Sequence, residues 1–204
     1  MSTKETSVCF DLETGGLELK HPDIQIAAIA VDGEYNELAT FERKIQFNEA
    51  DATPIALGIN HYNSETWRHE ALPLKTVCED FAKFLRPYCW MEKRSKAGRP
   101  YFVARLFGHN AATFDGPRIK ARFTETGLFL PADMHVRCTL QRALWWFDER
   151  GLNTDGIRLG SSLTTLCEYF KIPVVDAHDA LGDVRMTIAL ARALTKKGEG
   201  NGKD

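Results

Sequence analysis

The chain has 204 residues, 44% hydrophobic and 26% charged, with a net charge of −2. That length suits one domain, or one domain with an elaborated edge, and it buries enough surface to need no staple. The near-neutral balance excludes a globally basic nucleic-acid binder, so any phosphate contact has to be local. No apolar run reaches membrane-spanning length, so no membrane association is expected.

The five cysteines (Cys9, Cys78, Cys89, Cys138, Cys167) are scattered and odd in number, with no C-x-x-C or Cys/His ligand spacing. Four of them sit inside apolar patterns and read as small core residues. This favours a reducing, cytoplasmic compartment. Residues 1–6 show no secretory pattern and lead straight into the first strand.

In chain order, residues 7–12 read as a first strand and the strongly apolar run 24–31 as a second. Asp32-Gly33 marks a hairpin-type turn, and 38–45 alternates as a third strand. The chain therefore opens with a three-stranded antiparallel meander. Residues 46–72 carry turn residues without a clean period and read as a loop with a short helix. Leu74, Val77, Phe81, Phe84, Leu85 and Tyr88 follow a helical period behind Pro73. The charged segment 91–100 reads as a solvated loop, with the alternative that it touches phosphates.

Residues 102–107 form a fourth strand ending at Gly108-His109-Asn110. A helix follows to about Thr126, closed by Gly127. Residues 136–139 read as a short fifth strand, 140–147 as a helix and 150–160 as a Gly-rich loop. Trp145-Trp146-Phe147 suits core packing, with base stacking as the alternative. Ser161 or Ser162 caps a helix through Phe170, Pro173 breaks the chain, and a last helix spans about 179–196. The tail 197–204 is polar. With no internal repeat and no linker, residues 1–204 read as one domain, its core at about 6–196. The fold class is α/β: a five-stranded mixed sheet flanked by helices.

The chemistry concentrates at element ends. Strand side chains alternate, so Asp11 and Glu13 share one face while Leu12 points into the core. Two like charges near a strand end are costly unless a cation lies between them. Hard cations such as Mg²⁺ and Mn²⁺ prefer carboxylate oxygens. Asp115 opens a helix, where an acid also complements the helix dipole. On the last helix, Thr187, Leu190 and Leu194 share a face with Asp183, which turns that acid toward the sheet. An inward acid needs a partner. His178, just ahead of that helix, has the titration range of a base near neutral pH. Four carboxylates of this kind can cage two divalent ions for phosphodiester chemistry.

Asp-Leu-Glu-Thr-Gly-Gly-Leu (11–17), His-Asn-x-x-x-Phe-Asp (109–115) and His-x-Ala-x-x-Asp (178–183) resemble the three motifs of the DEDDh, or DnaQ-like, 3′–5′ exonucleases. All three stand in order, on the expected elements, across roughly residues 6–196. The resemblance implies a ribonuclease H-like fold, with Asp11, Glu13, Asp115 and Asp183 as ligands of two Mg²⁺ or Mn²⁺ ions and His178 as general base. It also implies that Thr14 and Leu17 meet the terminal nucleotide, and that Asn110 stands beside the scissile phosphate. Ile59-Asn60 is similar to a second base-contacting segment, although His61 occupies a position where glycine is usual. The implied activity is release of nucleoside 5′-monophosphates from 3′ ends of single-stranded DNA. An exoribonuclease is the alternative, and a retired nuclease docking on a polymerase is another. A polymerase partner or a homodimer fits either enzyme reading.

Overall fold

The computed structural model describes residues 5–152, 162–174 and 179–195. Strands β1 (Ser7–Thr14), β2 (Asp23–Val31) and β3 (Glu37–Lys44) form the antiparallel meander expected from the sequence. Every residue of β2 is buried. Both of its faces are covered, and its sequence accordingly lacks polar alternation. Ile26, Ala28 and Ala30 join Val8, Phe10 and Leu12 in a core with Val77, Phe81 and Leu85 of α3 (Leu74–Leu85) and Ile119 and Phe123 of α4 (Asp115–Thr126). Ala27, Ile29 and Val31 join Cys9 and Phe107 against Ala180, Val184, Ile188 and Ala191 of α7 (Ala180–Thr195). Asp11 and Glu13 share the parity of Cys9, so they emerge on the α7 face.

The sheet has six strands among the described residues, not the five that the sequence suggests, in the order β3-β2-β1-β5-β4 with β6 also on β5. The missed strand lies in the charged segment. β4 (Met91–Arg94) runs antiparallel to the start of β5 (Pro100–Gly108), so only the tip between them is loop. Its charges are those of an edge strand, which hides a strand signal. Lys93 reaches Asp133 at 3.1 Å and Arg94 reaches Glu92 at 3.3 Å. β5 pairs in parallel with both β1 and β6 (Ala132–Cys138). β6 begins earlier than the short strand expected at 136–139, because its first half is partly exposed and polar.

Segment 46–72 also holds more structure than expected: a 3-10 turn at Glu49–Asp51, then α1 (Pro54–Ile59) and α2 (Ser64–Glu70). These pieces are too short to show a period. Their starts are instead held by the side chains of Asn48, Thr53 and Asn63, each accepting a backbone N–H. The helix ending at Gly127 is capped there in the left-handed conformation, at φ 69°.

α5 (Thr139–Asp148) and α6 (Leu163–Tyr169) close the α7 side through Ala143, Phe147, Leu166, Leu190 and Leu194. Within the aromatic run, Phe147 is core, Trp146 packs against Phe147 and Phe170, and Trp145 is exposed. Ser162 is the N-cap of α6, while Ser161, most of the Gly-rich loop and the tail lie outside the described residues. All five cysteines are free, and Cys9, Cys78, Cys138 and Cys167 are buried. No described helix is long and apolar enough to cross a membrane.

Candidate active site

The end of β1 delivers Asp11 and Glu13 beneath the first turn of α7, which carries Asp183. Carboxylate oxygens of Asp11, Glu13 and Asp183 all lie within 4.8 Å of one another. Sequence spacing predicts this convergence, and Thr187, Leu190 and Leu194 on the same helix face are indeed buried. Asp115, at the start of α4, is 3% exposed and stands electrostatically against Asp11 without joining that three-residue cluster. Gly116 lets this helix start close on the turn before it: a Cβ there would fall 2.9 Å from the Ala111 carbonyl oxygen.

Burial, and then the crowding of like charges, displaces the acids of this site toward their neutral forms. Loss of solvent raises Asp11 well above the usual carboxylate range, and Asp115, Glu13, Asp183 and Asp179 push it further. Burial, then Asp183, Asp179 and Asp115, raises Glu13 to about 8. Asp115 is raised to about 7, first by burial, while hydrogen bonds to its own backbone N–H and that of Leu12 pull it down. Beneath them Cys9 is held as a neutral thiol by burial and by Asp11 and Asp115, and it donates to the Val184 carbonyl at 3.7 Å. Each displaced group favours its neutral form, which is what carboxylates do when their charge lacks compensation. The donor set, made entirely of carboxylate oxygens, fits hard divalent cations.

A cleft of about 640 Å³ adjoins Glu13. Its wall brings together the four residues expected to meet a terminal nucleotide: Thr14, Leu17, Ile59 and Asn60. Leu17 is 85% exposed and Ile59 48%. Asn60 Nδ2 donates to the Thr14 carbonyl at 2.8 Å, which fixes the end of α1 to the end of β1. His61, in the place where glycine is usual, takes φ 50°, so the departure keeps the backbone conformation that favours glycine. The loop bearing Leu17 is clamped from α4. Arg118 donates to the carbonyls of Glu18 and His21 at 2.9 and 3.0 Å, and Arg122 to those of Leu19 and His21 at 3.1 and 2.7 Å. Asn110 is not among the cleft residues; it is exposed, at φ 54°, and its Oδ1 accepts the Thr113 hydroxyl at 2.8 Å. His178 lies outside the described residues.

Two neighbours of the cluster were not anticipated. Asp179 accepts the Gly182 N–H at 3.1 Å as the cap of α7, and it raises Glu13. Gln25, the cross-strand partner of Glu13, donates to Glu42 at 2.8 Å and to Asp179 at 3.5 Å. Both left a trace in the sequence: Asp179 adjoins His178, and Gln25 interrupts an otherwise apolar strand.

The six-stranded mixed sheet, flanked by helices, is a ribonuclease H-like fold, and it presents a carboxylate cluster at the ends of β1 and α7. Solved structures with this fold include Escherichia coli exonuclease I. In complex with a dT13 oligonucleotide it superposes with a TM-score of 0.73 at 20% identity, covering 95% of this chain and 41% of that one. A product-bound exonuclease I gives 0.72 at 20% identity, covering 94% and 43%, and the zinc-bound complex of E. coli ExoI with single-stranded DNA gives 0.72 at 20%, covering 94% and 40%. The chain thus spans about two fifths of the length of these neighbours. No protein-family model matches the sequence, and no curated protein matches it.

Proposed function

We propose that this chain is a metal-dependent 3′–5′ exonuclease that hydrolyses single-stranded DNA from its 3′ end, releasing nucleoside 5′-monophosphates by a two-metal mechanism. The observation that carries this reading is the meeting of Asp11, Glu13 and Asp183 oxygens within 4.8 Å. Asp11, Glu13, Asp115 and Asp183 would hold two Mg²⁺ or Mn²⁺ ions. When bound in such a cage, divalent ions lower the pKa of water and stabilise the attacking and leaving oxygens of a phosphodiester. The protein supplies the rest. Leu17 and Ile59 offer apolar surface to the terminal base, and the backbone at Thr14, braced by Asn60, meets the terminal sugar. Asn110 orients the strand beside the scissile phosphate. His178, in its neutral form, accepts the proton of the attacking water, and His178→Ala lowers turnover by about 10²–10⁴-fold. Single-stranded 3′ ends are the partner in this reading, with a reducing cytoplasm as the setting.

The test is digestion of matched 5′-labelled single-stranded DNA and RNA with Mg²⁺ or Mn²⁺. A ladder of shortened DNA products, absent with EDTA and blocked by a 3′-phosphate, is the expected result. Preferential RNA digestion would make the chain an exoribonuclease. Cleavage of neither strand would leave a binding module with a retired site, and rapid cutting of circular single strands would give the wrong nuclease class.

A further inference from the structure

A second cavity, of about 160 Å³, opens on the same face of the sheet; its wall includes Ser7, Phe107, Arg137, Thr139, Arg142 and Thr195. No acidic side chain lines it. Arg43, Arg105, Arg118 and Arg122 each have a carboxylate partner, whereas the exposed Arg68 and Arg86, like the two arginines of this cavity, have none among the described residues. Among the described residues Arg137 and Arg142 have neither an ion-pair nor a hydrogen-bond partner, and the Ser7 hydroxyl has none. The cavity also receives the start of α5. That helix begins without a side-chain cap and without an acid in its first turn, so its end keeps the positive potential of free N–H groups. Two guanidiniums, a hydroxyl and an uncapped helix start converge on one small space, and all of them favour an anion.

The sheet register fixes where Arg137 lies. Cys9 pairs with Phe107, and Phe107 with Arg137, so Arg137 stands two strands from β1 in the row of Cys9. Asp11 is one step further along the same face. Two strand spacings across and two residues along amount to roughly 12 Å. The intervening surface includes the Gly108-His109-Asn110 turn, whose His109 Nδ1 lies 3.0 Å from the Thr139 hydroxyl. That separation suits a chain running from the carboxylate cluster over the turn to the cavity.

We infer that Arg137 and Arg142 form a phosphate-binding site that takes a backbone phosphate of the single strand, a few nucleotides upstream of the bond that is cut. This rests on the exonuclease reading for its ligand, and it gives the near-neutral chain the local cationic contact that a polyanion requires. Such a site grips the strand after each terminal nucleotide leaves.

The test is fluorescence anisotropy in EDTA, where binding is read without cleavage, using labelled single-stranded DNA of about twelve nucleotides, within the usual site size, and a labelled dinucleotide. Both arginines are exposed, and circular dichroism verifies that the variants fold. Arg137→Ala and Arg142→Ala should each weaken the long strand about tenfold, the loss of a charge-assisted hydrogen bond. Each should also lower the slope of log affinity against log salt by about one. Lysine at both positions should retain the slope while losing part of the affinity, since charge survives and the planar fork does not. In the double alanine variant the advantage of the long strand over the dinucleotide should shrink. Unchanged affinity and salt slope in that variant would overturn the proposal. Inorganic phosphate and deoxyadenosine monophosphate, titrated with NMR detection, distinguish the sources. Saturable shifts at both arginines together with unaltered strand binding would assign the cavity to free phosphate and overturn the strand assignment. A chain that grips strands through these arginines but cuts none would refute the exonuclease reading and support this site.

Discussion

Two carboxylates sit almost side by side at the end of the β1–β2 ladder and meet opposite surroundings. Glu13 pairs across from Gln25, and Asp23 pairs across from Thr14. Both are buried, at 7% and 3% exposure. Asp23 receives Arg118 Nε on one oxygen and Arg122 Nε on the other, each at 2.7 Å. Glu13 has no cationic side chain against it among the described residues, and it faces Asp11 and Asp183 instead. The first arrangement is complete within the protein and holds the Leu17 loop. The second is complete only with a cation or with protons. Burial alone therefore does not separate a structural acid from a reactive one; the sign of its neighbours does.

The largest effect that tests this contrast is loss of a cluster acid. Asp11→Ala should lower nuclease turnover about 10²–10³-fold, the scale set by a single preorganised electrostatic group. The metal-free protein should lose no thermal stability, because repulsion is removed along with the ligand. Normal turnover in this variant would break the two-metal reading.

Arg118→Ala should destabilise the fold by about 3–5 kcal/mol, since it leaves Asp23 buried with half its compensation. Urea unfolding measures this. Replacing Asp23, Arg118 and Arg122 together by apolar residues should recover part of the loss. If Arg118→Ala proved as harmless to stability as Asp11→Ala, the two regions would not differ in the way described.

A smaller effect is the pH dependence of the metal-free protein. Folding raises Glu13 from an ordinary 4.5 to about 8 and Asp115 from 3.8 to about 7. Between those limits the folded chain binds more protons than the unfolded one, so stability is full at low pH and falls as pH rises through the window. Melting temperature should therefore decline from about pH 5 to about pH 8 in EDTA, and saturating Mg²⁺ should flatten the decline. A metal-free melting temperature that climbs over this range would show that the acids are compensated by groups of the protein.

The smallest effect concerns the cleft. Asn60→Ala removes one hydrogen bond to the Thr14 carbonyl, worth about 1 kcal/mol. It should raise KM about fivefold with little change in kcat. An equal fall in kcat would move Asn60 from holding the nucleotide to aligning the reaction.

Much of the cluster is legible from local pattern. Alternation along 8–14 puts Asp11 and Glu13 on one face, and spacing along the last helix turns Asp183 inward. Asp115 by itself reads only as a helix-start acid, and three motifs in order are needed to make it a ligand candidate. Gln25 and Asp179 belong to the surroundings of Glu13, yet neither is marked by spacing. Their role follows from a cross-strand pairing and from a cap. The edge strand β4 escaped because its charges imitate a loop. The short helices in 46–72 escaped because capping side chains, and not an apolar period, hold their starts.

The sequence by itself determined the meander, the helix that Gly127 closes, the shared face of Asp11 and Glu13 and the inward turn of Asp183. These depend on periods of two and 3.6 residues and on single-residue backbone preferences, all set by near neighbours in the chain. Only the tertiary structure decided that Asp23 is paired with two arginines while Glu13 faces other acids, that Ile59 and Asn60 close a cleft against Leu17, and that Arg137 and Arg142 line one cavity. Compensation of a buried charge depends on which distant side chain arrives beside it, and that is fixed by strand register and helix docking across the whole sheet.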